Sequence, residues 1–402
     1  MYEYRLYPSK VQQKRLFSHF NLCCELYNIL LKRCKDAYKE DKTALNSKTK
    51  LSEMVKEIKD NDPRFKEVHS QVLQNCVDRL SKAYANFFRR LKEKQSGKKI
   101  KVGFPRFKKQ FKSITYPQSG FKFISDKKLR VSKIGGIPIV LHRVPKGKVK
   151  TMTIKRNKAG QWFAVFACEV ESPVGTHSTT DKAVGIDVGI ESFATLSTGE
   201  HIPNPRYLVK SEKKLKKAHR GVSGKVKGSK NRGKAIYRLA KVHVKVANQR
   251  RDFQHKLSGI ITNEFGTIAV EDLRINNMLK NHHLAKHISD ASWNSFIQML
   301  CYKAESANGR VLKNSKTKGS SIRCSNCGKD VPKPLSVRVH NCPFCGFTTH
   351  RDHNSALNHL KDTVGLTEIY ACGDSTPTSI LQRLVASGVV EAGTTFGSTQ
   401  FH

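Results

Sequence analysis

The chain has 402 residues, and its 74 Lys and Arg stand against 32 Asp and Glu, a formal net charge of +42. Its 38% hydrophobic content, with 20 Phe, is enough for two or three cored domains and excludes wholesale disorder. Self-repulsion of that size calls for a polyanionic partner, nucleic acid first, with a basic ribosomal or membrane-surface protein as the plain alternative. No apolar run reaches the length of a membrane span. The N-terminus, MYEYRLYPSK, lacks a secretory core, so a cytosolic location is expected. Eleven cysteines, seven of them scattered, point to reduced thiols and one metal site rather than a disulfide framework.

Tyr2 to Tyr7 alternate as a short strand closed by Pro8. Leu16, Phe20, Cys23, Tyr27 and Leu30 recur at three- and four-residue spacing and predict an amphipathic helix over 11–32. A charged, poorly patterned stretch follows to Asp62 and Pro63. A second helix is expected over 66–94, with Val72, Cys76, Leu80, Ala83 and Phe87 on one stripe. Between Arg89 and Lys112, eleven Lys or Arg and the single acid Glu93 are interleaved with Phe104, Phe107 and Phe111. That mixture suits a nucleic-acid groove with stacking platforms, and suits equally the core of an adjoining sheet.

Residues 121–170 are short β-branched or aromatic runs parted by turn residues, as in a small antiparallel sheet or barrel. The first strand is placed to pair with it, which would make the helices of 11–95 an insertion. After Ser172 strands alternate with helices: adjacent strands over 183–190 and 193–198, a charged helical region over 207–257, and a buried strand ending at Glu271. A helix over 294–307, a cysteine knuckle over 323–348 and a last helix over 354–361 follow. Residues 370–402, rich in Gly, Ser and Thr, read as a flexible tail.

Two C-x-x-C-G turns, Cys324/Cys327 and Cys342/Cys345, supply two thiolates each, the set that a closed tetrahedral zinc site needs. A redox C-x-x-C is the alternative reading, and His340 an alternative fourth ligand. Asp187 sits in the otherwise apolar run 183–190, and Glu271 ends another, Thr267-Ile-Ala-Val-Glu. An ionised carboxylate there is costly to desolvate without a cation or strong donors. Each alone has a plain explanation, a strand-end acid facing solvent or capping a turn. Asp352, before the last helix, reads either as a helix N-cap or as a third acid. Three such carboxylates could hold a pair of magnesium ions for phosphodiester hydrolysis. Between Lys210 and Lys256 there are seventeen Lys or Arg and two acids, Glu212 and Asp252. This density of one sign points to phosphate contact, against the alternative of a merely solvated face.

These residues resemble the TnpB family of transposon-encoded RNA-guided nucleases, related to type V CRISPR effectors and Fanzor proteins. The likeness runs through Tyr4-Arg-Leu-Tyr-Pro-Ser, Leu26-Tyr-Asn, His69-Ser-Gln-Val-Leu-Gln, Gly103-Phe-Pro-Arg-Phe-Lys and Tyr116-Pro-Gln. It continues with Gly185-Ile-Asp-Val-Gly, Asn248-Gln-Arg-Arg-Asp-Phe, Glu271-Asp-Leu and Ile288-Ser-Asp-Ala-Ser-Trp, and closes with both cysteine turns and Arg351-Asp-His-Asn-Ser-Ala. It departs at Ser355, where similar proteins more often carry Ala.

The resemblance implies an α+β multidomain chain. A wedge-type β-barrel (1–9 and 96–172) would carry an inserted helical recognition lobe (10–95). An RNase H-like (RuvC) α/β nuclease domain (173–321 and 349–369) would follow, with a zinc ribbon (322–348) inserted and the tail (370–402) after it. It makes Asp187, Glu271 and Asp352 the magnesium-binding catalytic triad, and Cys324, Cys327, Cys342 and Cys345 the zinc ligands. The implied partners are a guide RNA from the transposon end and target double-stranded DNA, cleaved beside a short transposon-adjacent motif that the protein reads while base pairing reads the rest. A monomer in the ribonucleoprotein, associated with a prokaryotic nucleoid, is the matching expectation. Tyr116, Gln118, Arg106, Lys230, Arg232, Arg250 and Arg251 are candidates for nucleic-acid contact. Other readings are an RNA- and DNA-binding regulator of transposition that does not cleave, and a strand-transfer transposase, for which no separate end-recognition module is seen.

Overall fold

The computed structural model describes residues 1–170, 181–315, 319–334, 336–365 and 379–389, and the chain divides into two units, 1–171 and 172–402. In the first, β1 (Tyr2–Leu6) leads at once into α1 (Lys10–Glu40). Ser9 caps that helix reciprocally with Gln12, a capping box. α2 (Lys48–Asn61), a 3-10 turn (Pro63–Glu67) and α3 (Ser70–Gln95) complete the helical part. α2 lies in the stretch that looked unpatterned. Its Leu51, Met54, Val55 and Ile58 are buried at helical spacing, and Ser47 caps it.

Six strands follow: β2 (Ser113–Pro117), β3 (Phe121–Ser125), β4 (Lys128–Val131), β5 (Gly135–Val140), β6 (Lys148–Arg156) and β7 (Trp162–Glu169). With β1 they form one antiparallel sheet in the order β2-β6-β7-β1-β5-β4-β3. The first strand is therefore internal, flanked by β7 and β5. One core joins Tyr4 and Leu6 of β1 to Leu16, Tyr27 and Leu30 of α1, Val77 and Leu80 of α3, and Ile114, Tyr116, Ile154 and Phe166 of the sheet. Alternate residues of each strand face it.

The second unit opens with β8 (Ala183–Val188), β9 (Ser192–Leu196) and β10 (His201–Pro203), a meander of antiparallel neighbours. The charged helical region is two helices, α4 (Tyr207–Ser223) and α5 (Lys230–Glu264), broken where Gly224 ends one and Ser229 caps the next. Then come β11 (Thr267–Glu271), α6 (Ile275–Met278), α7 (Ala285–Ala291), α8 (Trp293–Ser306) and β12 (Arg310–Asn314). β11 lies parallel to both β8 and β12, giving the order β10-β9-β8-β11-β12. A hairpin of β13 (Val339–Asn341) and β14 (Thr348–His350) precedes α9 (Arg351–Val364).

The core of this unit gathers Val184, Ile186, Phe193, Phe253, Leu257, Ile268, Trp293, Phe296 and Leu300. It also holds Ile380 and Leu384 of α10 (Ile380–Ala386). The stretch read as a flexible tail thus contains a helix. Ile380 and Leu384, four apart, are its buried residues, and the Ser379 cap fixes its start; 370–378 and 390–402 lie outside the described residues. No helix among the described residues is long and apolar enough to cross a membrane.

Candidate functional site

Asp187 stands near the end of β8, and Glu271 is the last residue of β11. Ile186 pairs with Val270 in this parallel ladder, so the next residue on each strand is an acid, and both emerge at the same edge of the sheet. α9 packs across β8 and β11, and its residues 352, 355 and 359 share one face through the i, i+3, i+7 spacing. Asp187, Glu271 and His359 each present one ligand atom, all within 4.8 Å of one another. His359 is fully buried and its Nε2 lies 3.5 Å from Asp187 Oδ1. Ser355 Oγ donates to the same oxygen at 3.2 Å.

Burial pushes the Asp187 carboxyl up, against the pull of His359 and Ser355. Glu271 is pushed up by burial and then by the charge on Asp187. Two desolvated carboxylates that repel one another form a donor set that fits a hard cation.

Asp352 lies in the first turn of α9 but outside that trio. Its carboxylate, 8% exposed as a residue, accepts from Arg351 Nη2 at 3.2 Å, with Arg338 Nη1 at 4.0 Å. Its charge nonetheless acts on Asp187, raising the pKa further. The N-cap of α9 is His350, not Asp352. His359, which sequence reasoning did not single out, had a usable signal, a histidine two helical turns after Asp352 on the same face.

The four knuckle cysteines converge, their Sγ atoms all within 4.8 Å. Cys324–Cys345 and Cys327–Cys342 separations are 3.7 and 3.6 Å. A Zn–S bond of about 2.3 Å sets a tetrahedral S–S edge of about 3.8 Å, so the thiols fit zinc. In each turn the glycine adopts positive φ, 77° at Gly328 and 69° at Gly346, and its N–H returns to the carbonyl of the first cysteine. The Phe347 N–H pulls the Cys345 thiol down to about 6. His340 lies buried outside this set.

The knuckle is fastened to the back of α9. Ser325 N–H donates to Asn354 Oδ1 at 2.8 Å. Asn354 and Asn358 Nδ2 donate to the Arg323 carbonyl at 2.8 and 2.7 Å.

The candidates for nucleic-acid contact divide. Tyr116 is fully buried, its ring 5.9 Å from that of His69, so it serves the core and has no surface to offer a duplex. Strand parity explains this, since it shares a face with Ile114. Arg250 Nη2 is held by Asp290 Oδ1 at 2.8 Å, and Asp290 also caps the Leu208 N–H, a structural tie. Arg232 Nη1 donates to the Lys225 carbonyl and shapes the α4–α5 turn. Gln118 (φ 62°), Arg106, Lys230 and Arg251 are exposed. In the basic segment Phe111 packs on the core, whereas Phe104 and Phe107 are 43% and 51% exposed with Lys35 over both rings.

Three family models match in chain order: "Helix-turn-helix domain" over 1–43, the IS605 OrfB model described as "Probable transposase" over 165–282, and "Cas12f1-like, TNB domain" over 293–359. Residues 1–43 here are a strand and one unbroken helix. A "Putative RNA-guided DNA endonuclease" of Streptomyces pristinaespiralis is 35% identical over 380 residues, 93% of this chain and 90% of that protein. The "Putative RNA-guided DNA endonuclease InsQ" of Escherichia coli K12 is 30% identical over 77% of this chain and 78% of its own. A solved Cas12f1-sgRNA-target DNA complex shares the fold, with TM-score 0.51 at 15% identity over 87% of this chain and 82% of that one. Identity of this extent with a relative of nearly the same span, together with the ordered family models, makes the chain a member of the TnpB (IS605 OrfB) family.

Proposed function

We propose that the protein is a magnesium-dependent, RNA-guided DNA endonuclease encoded by a transposon, cutting double-stranded DNA beside a short adjacent motif. The observation that carries this reading is the pair Asp187 and Glu271, desolvated and side by side at the ends of parallel neighbouring strands. The printed names of the two relatives, each a "Putative RNA-guided DNA endonuclease", agree with it.

Asp187 and Glu271 would hold the metal, with Asp352 of α9 as the third ligand once its carboxylate leaves Arg351. Magnesium bound as a pair supplies an activated water and a counter-charge for the leaving oxygen. Ser355 holds one oxygen of Asp187, which would leave the other for the ion. The exposed cations of α4 and α5, with Arg106 and Gln118 of the first unit, would follow nucleic-acid phosphates and groove edges. Residues 1–9 and 96–172 would form the wedge domain, 10–95 the recognition lobe, and 173–321 with 349–369 the RuvC-like nuclease around the zinc ribbon 322–348. The complex would act as a monomer on the nucleoid.

The test uses protein co-purified with its transposon-end RNA carrying a chosen guide, incubated with magnesium and plasmids randomised beside the guide target. Cut molecules enriched for one short flanking motif are expected. Tight RNA binding with no cut plasmid would overturn the endonuclease reading and favour a non-cleaving regulator of transposition.

A further inference from the structure

An imidazole beside two carboxylates has two possible employments: it ligates the metal through a bare nitrogen, or it donates a proton to a carboxylate and sets its position. In this chain the neighbours of His359 decide between them. Arg323 Nη2 lies 2.7 Å from both oxygens of Asp362, so that carboxylate is an acceptor only. Asn314 is buried at 2% exposure, and its Nδ2 donates to Asp362 Oδ2 at 3.0 Å. The amide is thereby oriented with its NH2 group forward, and the same nitrogen lies 3.1 Å from His359 Nδ1. An amide hydrogen pointed at Nδ1 requires a lone pair there, so the ring proton sits on Nε2. Nε2 faces Asp187 Oδ1 at 3.5 Å and Ser355 Oγ at 3.3 Å. Ser355 Oγ lies 3.2 Å from both Asp187 Oδ1 and Ser320 Oγ, and its one proton goes to the carboxylate, the stronger acceptor of the two.

We infer that His359 is a positioning residue that donates Nε2–H toward Asp187, directly and through Ser355, and that Asn314 and Asp362 lock it in that tautomer. The donated proton holds Oδ1, which would leave the other oxygen to bind the metal. The lock begins at Arg323, the residue before Cys324, and Asn354 and Asn358 of α9 grip the Arg323 carbonyl. The cysteine knuckle thus sets the register of the same helix and the same relay that orient Asp187. This inference rests on the metal-dependent nuclease reading, but metal binding tests it separately from cleavage.

The protein with its RNA is prepared as wild type, His359→Leu and His359→Gln. Mn2+ binding is followed by electron paramagnetic resonance, and guide-directed cleavage is measured against Mn2+ concentration. Gln can accept from Asn314 through Oε1 and donate to Asp187 through Nε2, whereas Leu can do neither. Loss of such an outer hydrogen bond lowers metal affinity by about 10- to 100-fold. Leu is expected to weaken Mn2+ binding by that factor, with cleavage recovered at higher Mn2+, and Gln to stay within about threefold of wild type. Should the Leu variant not fold, His359→Met makes the same comparison. Wild-type affinity in Leu or Met would overturn the inference. So would an equal loss in Gln and Leu, which would make the imidazole a direct ligand. If the three proteins bind Mn2+ in the expected order but none cuts DNA, the positioning role stands and the endonuclease reading fails.

Discussion

Gly185, two residues before Asp187, is where α9 crosses β8. A methyl group placed on it would sit 2.0 Å from the Ala356 carbonyl oxygen, 3.0 Å from that carbonyl carbon and 3.1 Å from Leu360 Cβ. Ordinary contact begins at 3.4 Å, so the first of these distances is short by 1.4 Å. The two nearest atoms are helix backbone and the third is a Cβ fixed to it, so none can rotate away as the end of a side chain would. Gly185→Ala must therefore lift α9, and with it Asp352, Ser355 and His359, by more than an ångström from the strand that bears Asp187. Overpacking of this kind costs about 1–3 kcal/mol of stability, and a 1 Å misplacement around reacting groups costs about 100-fold in rate. The assay is single-turnover cleavage of a guide-matched plasmid by the purified complex, with urea unfolding alongside. Gly221→Ala is the control: Gly221 is a helical residue of α4 with nothing within 4 Å of the added methyl. It is expected to gain about 0.5–1 kcal/mol and cut normally. A Gly185→Ala protein that cuts at the wild-type rate and unfolds at the wild-type urea concentration would refute the packing argument.

Asp290, 6% exposed, holds Arg250 and the Leu208 N–H. Asp290→Ala is expected to destabilise the protein by about 3 kcal/mol in urea, the low end for breaking a buried pair, because Arg250 keeps 24% side-chain exposure and can rehydrate. Burial, then Arg15 and Lys133, lower the His19 pKa to about 4. The folded state refuses a proton that the unfolded chain accepts near 6.5, so stability is lost as pH falls from about 6.5 to about 4. The loss amounts to about 3 kcal/mol. The wild-type-minus-His19→Leu difference in urea midpoint should follow that window, and a pH-independent difference would contradict it. Cys342→Ser is expected to lose zinc by elemental analysis, free the knuckle from Asn354 and Asn358, and reduce cleavage more than RNA binding.

Much of the architecture was legible because burial left regular traces. The stripes of α1 and α3, the two carboxylates inside apolar strands and the paired cysteine turns all express a local rule that a single segment satisfies. The misreadings share a different cause. α2 was hidden because its four apolar residues are diluted by lysines and acids, although Leu51, Met54, Val55 and Ile58 keep the helical period. Tyr116 is a candidate for nucleic-acid contact by resemblance, yet alternation with Ile114 assigns it to the core. Arg250 was absorbed into a charge run, and its partner Asp290 lies 40 residues away, beyond any local pattern. His359 owes its place to a chain of contacts from Arg323 through Asp362 and Asn314. No spacing rule links β12, the knuckle and α9; only the fold does.

The proposed function requires that Asp187 and Glu271 bind metal to cut DNA that a guide RNA selects. The direct measurement is cleavage of a plasmid bearing the guide-matched target and its flanking motif, by wild-type and Asp187→Ala complexes in magnesium, with bound RNA quantified in both. Cutting by wild type that stops on chelation, none by Asp187→Ala, and equal RNA content are expected. Equal cutting by the two complexes, or magnesium-independent cutting, would contradict the proposed function.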